Sequence, residues 1–196
     1  MPNHITNVLK ITGDPSTIAS MLEAVKQDEI GMGSIDFNKL IPTPEYVFQG
    51  NLGSEERAQS GKNNWYDWNI ENWGTKWNSY GYEGLDHANF DGDKLEFLTA
   101  WSAPHPVIEK LATCYHELSF SHRWADEDLG YNVGEANYEQ GKALSLSIPE
   151  GGSKEAMEMV ADIMGFDLAE EGFIYNEKVG EYEYHDPYPA PDEMHM

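Results

Sequence analysis

Asn7-Val8-Leu9-Lys10-Ile11-Thr12-Gly13-Asp14-Pro15-Ser16-Thr17-Ile18-Ala19-Ser20-Met21-Leu22-Glu23-Ala24-Val25 changes its apolar period once, and that change decides the fold. Up to Thr12, Leu9 and Ile11 alternate with Val8, Lys10 and Thr12, the period of a strand. Gly13 stops it; Asp14 is a good helix N-cap and Pro15 suits the first helical position. Ile18, Met21, Leu22 and Val25 then recur at i, i+3, i+4 and i+7, one apolar helix face. Gly31 and Gly33 close the unit, and Ser34–Leu40 is expected to be a short strand halted by Pro42 and Pro44.

The same change of period recurs downstream. Lys94–Trp101 reads as a strand with Leu95, Phe97, Thr99 and Trp101 on one side. Pro104 and Pro106 end it and open a helix with Ile108, Leu111, Ala112 and Tyr115 inward. Leu118–Ala125 is the cleanest strand, with Leu118, Phe120, His122 and Trp124 on one face. Tyr131–Tyr138 and Lys142–Ile148 predict a hairpin around Gln140-Gly141. Ser153 caps a third helix with Met157, Val160, Ala161 and Met164 on its face, ended by Gly165. Phe173–Tyr184 is expected to form a hairpin around Asn176–Gly180, and His185–Met196, with its three prolines, a frayed tail.

Two β-α-β halves with short connections predict an α+β fold: a ferredoxin-like antiparallel sheet with helices packed on one face. That domain is expected over 1–150, with a Trp-rich helical insertion at about 50–90. An acidic helix, hairpin and tail over 151–196 should pack on it or extend it. Gly50–Asn64 has turn composition without periodicity and reads as a loop. Four tryptophans follow between Asn63 and Asn78. As a helix, Trp65–Trp73 places Trp65, Trp68, Asn69 and Asn72 on one face with Trp73 at its edge, capped by Gly74. Together with Trp77 these residues are an aromatic platform, chiefly structural, whose amides satisfy backbone groups.

Composition excludes several classes of function. The 196 residues carry a net charge of −23. Residues 1–125 hold 17 acids and 9 bases, whereas 126–196 hold 18 acids and 3 bases, a balance of −15 over the last 71 residues. Such a surface repels nucleic acid and anionic membrane and attracts basic surfaces. No run of 18 apolar residues is present, which predicts no membrane span. Met1–Asn7 lacks a basic and then apolar leader, and Cys114 is the single cysteine, so a reducing cytosol is the expected compartment.

Asn7-Val-Leu-Lys-Ile-Thr-Gly13, Asp36-Phe-Asn-Lys-Leu-Ile-Pro-Thr-Pro44, Trp68-Asn-Ile-Glu-Asn-Trp-Gly-Thr-Lys-Trp-Asn78 and Phe97 to Leu111 resemble the YubB-type ferredoxin-like domain family of phage and plasmid proteins. A weaker block runs from Phe120 to Gly130. The resemblance spans roughly residues 3–140, and Trp73-Gly-Thr-Lys-Trp77 is its most specific run. It implies the fold and a mobile-element setting, and carries no catalytic residues. Asn3-His4-Ile5 departs from the family's Asn-Trp-Cys start, and the acidic last third departs from its pattern.

Candidate chemistry is sparse. Asp86–Asp93 superficially resembles a calcium loop but has His87 and Leu98 where the first and twelfth ligands belong. His122, with Asp126 and Glu127 following, is the possible acid–base or metal group of a small metal-dependent hydrolase, the alternative reading. Cys114 and His116, two apart on a helix, do not face each other. No catalytic residue, metal or cofactor is expected. The leading expectation is a non-enzymatic mobile-element accessory that binds a basic protein, a host nucleic-acid-binding defence complex, and occludes or mimics its nucleic acid. Asp126, Glu127, Asp128, Glu135, Glu139, Glu170, Glu171, Glu181 and Glu183 are its candidate contacts. A structural or regulatory accessory of another partner is the remaining alternative.

Overall fold

The computed structural model describes residues 2–90 and 92–186. Asp91, within the Asp86–Asp93 stretch that only superficially resembles a calcium loop, and most of the expected tail lie outside the described residues. Seven strands and six helices are named in chain order: β1 His4–Thr12, α1 Pro15–Val25, α2 Phe37–Leu40, α3 Ser54–Ser60, α4 Trp65–Trp73, β2 Lys94–Ala100, α5 His105–Cys114, β3 Ser119–Asp126, β4 Gly134–Glu139, β5 Lys142–Ser147, α6 Lys154–Met164, β6 Phe173–Asn176 and β7 Glu181–Tyr184. The main sheet runs β2-β1-β3-β4-β5 with every neighbouring pair antiparallel; β6 and β7 form a separate ribbon. β2, α5 and β3 make a split β-α-β unit with β1 inserted between its strands, the ferredoxin-like α+β arrangement.

The strand–helix switch at Gly13 forms as its residues dictate. Asp14 accepts from the Thr17 amide at 3.0 Å, and Ile18, Met21, Leu22 and Val25 are buried. They meet Leu9 and Ile11 of β1, Phe97 of β2, Phe120 of β3 and Ile108 and Leu111 of α5 in one core on one face of the sheet. On the other face, Ala125 packs with Ala156 and Val160 of α6. A guanidinium there gathers two acids: Arg123 meets Asp162 of α6 at 2.7 Å and Glu135 of β4 at 3.4 Å. Met157, Ala161 and Leu168 then anchor the ribbon through Phe173 and Tyr182.

Three local expectations are corrected. Residues 34–40 are not a strand. Asp36 accepts from the Asn38 amide at 3.0 Å and caps the short helix α2, burying Phe37 and Leu40 one turn apart. Asn78 clamps that turn, accepting from the Phe37 amide at 2.9 Å. Within Gly50–Asn64, α3 forms without a buried residue, so it has no apolar face to produce a period; Glu55 and Glu56 begin it and Arg57 lies in its last turn, matching the helix dipole. Trp101 does not continue the inward side of β2. Its φ of 74° turns it out of the strand and into solvent.

Candidate functional site

The antiparallel register brings His4, Ala100 and Asp126 to one end of the sheet, because β1 starts where β2 and β3 finish. The Trp-rich segment is docked against that end, and each residue of Trp73-Gly-Thr-Lys-Trp77 has a task there. Trp73 is buried, crosses Trp68 and Phe37 edge to face, and donates its indole N–H to the Ile41 carbonyl at 2.9 Å. Gly74 ends α4 at φ 78°, where an added Cβ would meet Pro106 at 2.9 Å. Thr75 Oγ1 donates to the Ala100 carbonyl at 2.8 Å and accepts from the Ala100 amide at 3.1 Å. Lys76 lays its ammonium 4.5 Å from the Trp77 ring and 4.7 Å from the Trp101 ring. Both indoles are exposed, at 38% and 42%.

Trp101 holds a conformation that a bulky L-residue rarely adopts, costing on the order of 1–2 kcal/mol. Its neighbours over-determine it. Ala100 is tied to Thr75, and the Ser102 hydroxyl donates to the Gly74 carbonyl. The Trp101 amide donates to Asn3 at 2.9 Å, and its carbonyl accepts from Asn132 at 3.1 Å. Bonds from four sides thus hold a strained backbone conformation that presents an indole to water. Tyr66 extends the surface on the far side of Trp101, with Arg57 4.9 Å above its ring. Tyr80 extends it beyond Trp77 and meets His4 Nδ1 at 2.8 Å.

The remaining platform residues are committed to the fold. Trp68 and Asn69 are buried, and Asn69 donates to the Lys76 carbonyl at 2.9 Å. Asn72 donates to the Trp68 carbonyl at 2.9 Å, and half-buried Trp65 donates to Gly50 at 3.1 Å. The sequence separated none of this from Trp77, and it placed Trp101 on the same side of the strand as Leu95, Phe97 and Thr99. The available signal was Trp101-Ser102 placed after an otherwise complete alternation.

The nine candidate acids divide by place. Asp126 is only 6% exposed and accepts from Asn3, the Asp128 amide and Asn132 at 3.0–3.1 Å, so it is a structural tie and not a free contact. Glu127 and Asp128 are exposed beside the aromatic surface; Glu127 accepts from the His4 amide at 3.1 Å. Burial first, and then the Glu127 charge, push the Tyr80 phenol up from its ordinary value. Glu135 is half-buried against Arg123, and Glu139 stands at the opposite end of the sheet. Glu170, Glu171, Glu181 and Glu183 are exposed around the β6–β7 ribbon. They form separate groups, not one linear track.

The structure does not bring His122 to the acids. His122 and Asp126 lie four residues apart on β3, about 13 Å along a strand. The His122 ring is fully buried, and its Nε2–H donates to Asn7 Oδ1 at 3.0 Å. The Asn7 amide N–H₂ fixes that orientation by donating to the Ile5 carbonyl at 3.0 Å and to Thr99 Oγ1 at 2.9 Å. Burial, then the neighbouring His105, push the His122 imidazole down to about 3. Asp86 accepts from the Asn89 amide and side chain, an Asx turn. Among the described residues no three His, Cys, Asp or Glu side chains converge on a possible metal position.

Residues 72–167 match the family model described as a ferredoxin-like domain in Api92-like protein. The match runs from the last turn of α4 through β2, α5, β3, β4, β5 and α6, with β1 outside it, and contains the Gly74–Trp77 run, Trp101, Glu127 and Asp128. The chain is thus similar to a ferredoxin-like domain family over this stretch. The match reaches into the acidic third as far as Asp167. No curated protein and no solved structure matches the chain.

Proposed function

We propose that this chain is a non-enzymatic binding protein, an accessory of a phage or plasmid acting in the bacterial cytoplasm. Its partner is a protein with a basic surface, a host nucleic-acid-binding defence complex whose nucleic acid it occludes or mimics. The observation that carries the reading is the strained, solvent-facing Trp101 sharing one ammonium with Trp77 beside Glu127 and Asp128. Two exposed indoles beside carboxylates offer a surface on which the long side chains of a basic partner can pack their apolar stems while their charges meet the acids. The adjacent carboxylates supply steering, and the exposed acids of the ribbon add to the same field. The mobile-element setting rests on the sequence resemblance, and the anionic balance supports a protein partner over nucleic acid itself.

Capture of host proteins on the immobilised chain, followed by titration of the captured partner, tests this. A basic nucleic-acid-binding protein should be recovered, with affinity falling at least tenfold between ~50 and ~300 mM NaCl. Trp101→Gly should weaken binding about tenfold or more, as expected of an aromatic hot spot. Its stability should stay near wild type, because relief of the φ strain offsets the lost ring contacts. Recovery of no basic partner, or binding indifferent to salt and to Trp101→Gly, would refute the proposal.

A further inference from the structure

A cleft of about 520 Å³ is walled by the β3–β4 loop, the β5–α6 loop, the start of α6 and the β6–β7 ribbon. It begins at Leu129, the residue after Asp128, and reaches Glu181, so it lies between the acids beside the aromatic surface and those of the ribbon. The two loops are tied together, the Gly152 amide donating to the Gly130 carbonyl at 2.9 Å. Glycine shapes one wall. A Cβ at Gly151 would stand 2.8 Å from the Tyr131 ring, and one at Gly152, whose φ is 76°, 3.2 Å from the Tyr131 hydroxyl. The ring thus rests against bare backbone on one side and is still 52% exposed. Glu150 and Glu181 line the same cleft, both exposed and neither engaged in a side-chain hydrogen bond or ion pair among the described residues. Lys154 lines it too, but its ammonium is engaged elsewhere, 4.4 Å over the Tyr175 ring and 3.7 Å from Glu158.

We propose that this cleft seats an arginine side chain of the basic protein partner; the inference rests on the proposed function and names the group that partner presents. Arginine's planar guanidinium is weakly hydrated, stacks on an aromatic face and forks toward carboxylates. Tyr131 supplies the face, and Glu150 and Glu181 supply two carboxylates that have no cation of their own. Lysine fits less well, because its compact, strongly hydrated ammonium neither lies flat on a ring nor forks. An anion is disfavoured, although the start of α6 lines the cleft. The Ser153 hydroxyl already accepts from the Ala156 amide at 3.1 Å, and Glu155 complements the helix dipole within the first turn. A phosphate entering here would also meet two uncompensated carboxylates. A cation seated here stands in the field of both the Glu127-Asp128 pair and the ribbon acids, which steers a basic partner toward it.

Titration of the isotope-labelled full chain with a blocked glycine–arginine–glycine peptide, up to ~20 mM at ~20 mM NaCl and followed by amide resonances, tests the seat. The amides of Tyr131, Gly151, Gly152 and Gly180 should shift saturably, and the lysine counterpart should bind at least about threefold more weakly. Tyr131→Ala, Glu150→Gln and Glu181→Gln, all at exposed positions, should each weaken the arginine peptide about two- to fivefold. Glu150→Gln combined with Glu181→Gln should abolish saturation in this range. Trp101→Gly should leave the titration unchanged, and no host protein is needed. Failure here therefore leaves the aromatic surface of the proposed function standing, and failure to capture a basic partner is read separately. Shifts spread over all the acidic groups, an equal response to both peptides, indifference to the double variant, or inorganic phosphate moving these amides in place of the arginine peptide would overturn the inference.

Discussion

At the scale of single residues, the most consequential polar groups are inside. Asn7 spends its whole amide on Ile5, Thr99 and His122, which ties β1 to both flanking strands. Thr99 passes the chain on, donating to Ser102, whose hydroxyl reaches Gly74. The buried network therefore ends beneath the exposed indole of Trp101. His122 makes this network sensitive to acid. Its folded-state pKa lies near 3, below the ordinary 6.5, with His105 of α5 also pushed down, by burial. The unfolded chain thus takes up a proton below pH 6.5 that the folded chain refuses until about 3. Stability is fully present above pH 6.5 and falls as pH drops through that window, at up to about 1.4 kcal/mol per pH unit for one group. Urea denaturation at pH 7.0 and 5.5 should show the wild type losing midpoint. His122→Gln, which keeps an N–H for Asn7, should lose distinctly less. Equal losses would mean that other groups carry the acid sensitivity.

At the scale of elements, α4 shows how local chemistry and tertiary docking divide the work. Asn64 accepts from the Asp67 amide at 3.0 Å and donates to the Gly61 carbonyl at 2.7 Å, fixing where the helix begins. Because it is fully buried, Asn64→Ala removes a cap and leaves an orphaned amide, and should cost about 1–2 kcal/mol in chemical denaturation. A cost under a few tenths would show that the indoles of Trp68 and Trp73 alone set the register of α4. Elements of this kind were legible from the sequence because their signals are local: Asp14-Pro15 and Ser153 as starts, Gly74 and Gly165 as stops, and Leu118 to Trp124 as an alternation. α2 was not legible, since Ile35, Phe37 and Leu40 fit a strand as well as a turn of helix until Asn78 arrives from 41 residues away to hold the amide of Phe37. α3 was illegible for the opposite reason, having nothing to bury. The candidate surface was half visible. Its motif residues 73–77 stood out, whereas the outward turn of Trp101 depends on bonds to Asn3, Gly74, Thr75 and Asn132 that no sequence spacing displays.

At the scale of the whole molecule, charge and cohesion are distributed in opposite senses. The main sheet and its helices share a continuous core, whereas the β6–β7 ribbon is held by Leu168, Phe173 and Tyr182 against Met157 and Ala161 of α6. Around this small anchor stand Asp167, Glu170, Glu171, Glu177, Glu181 and Glu183, all exposed, with Lys178 the one cation among residues 165–186. Lys154 offers relief from α6, lying 4.4 Å over the Tyr175 ring and 3.7 Å from Glu158. Repulsion among exposed carboxylates is weakened by salt, with a screening length of about 10 Å at ~0.1 M and about 30 Å at ~0.01 M. The ribbon should therefore open locally well before the sheet unfolds, and most readily at low ionic strength. Amide exchange at Phe173–Tyr184 should be faster than at His4–Thr12 by orders of magnitude. Raising NaCl from ~10 to ~300 mM should slow the ribbon several-fold and leave β1 nearly unchanged. Lys154→Ala should speed the ribbon at all salt concentrations, since it removes a ring contact as well as a charge. If ribbon exchange proves independent of salt, the hydrophobic anchor and not the carboxylates sets its stability, and these acids are then held at no conformational cost, available for a basic partner.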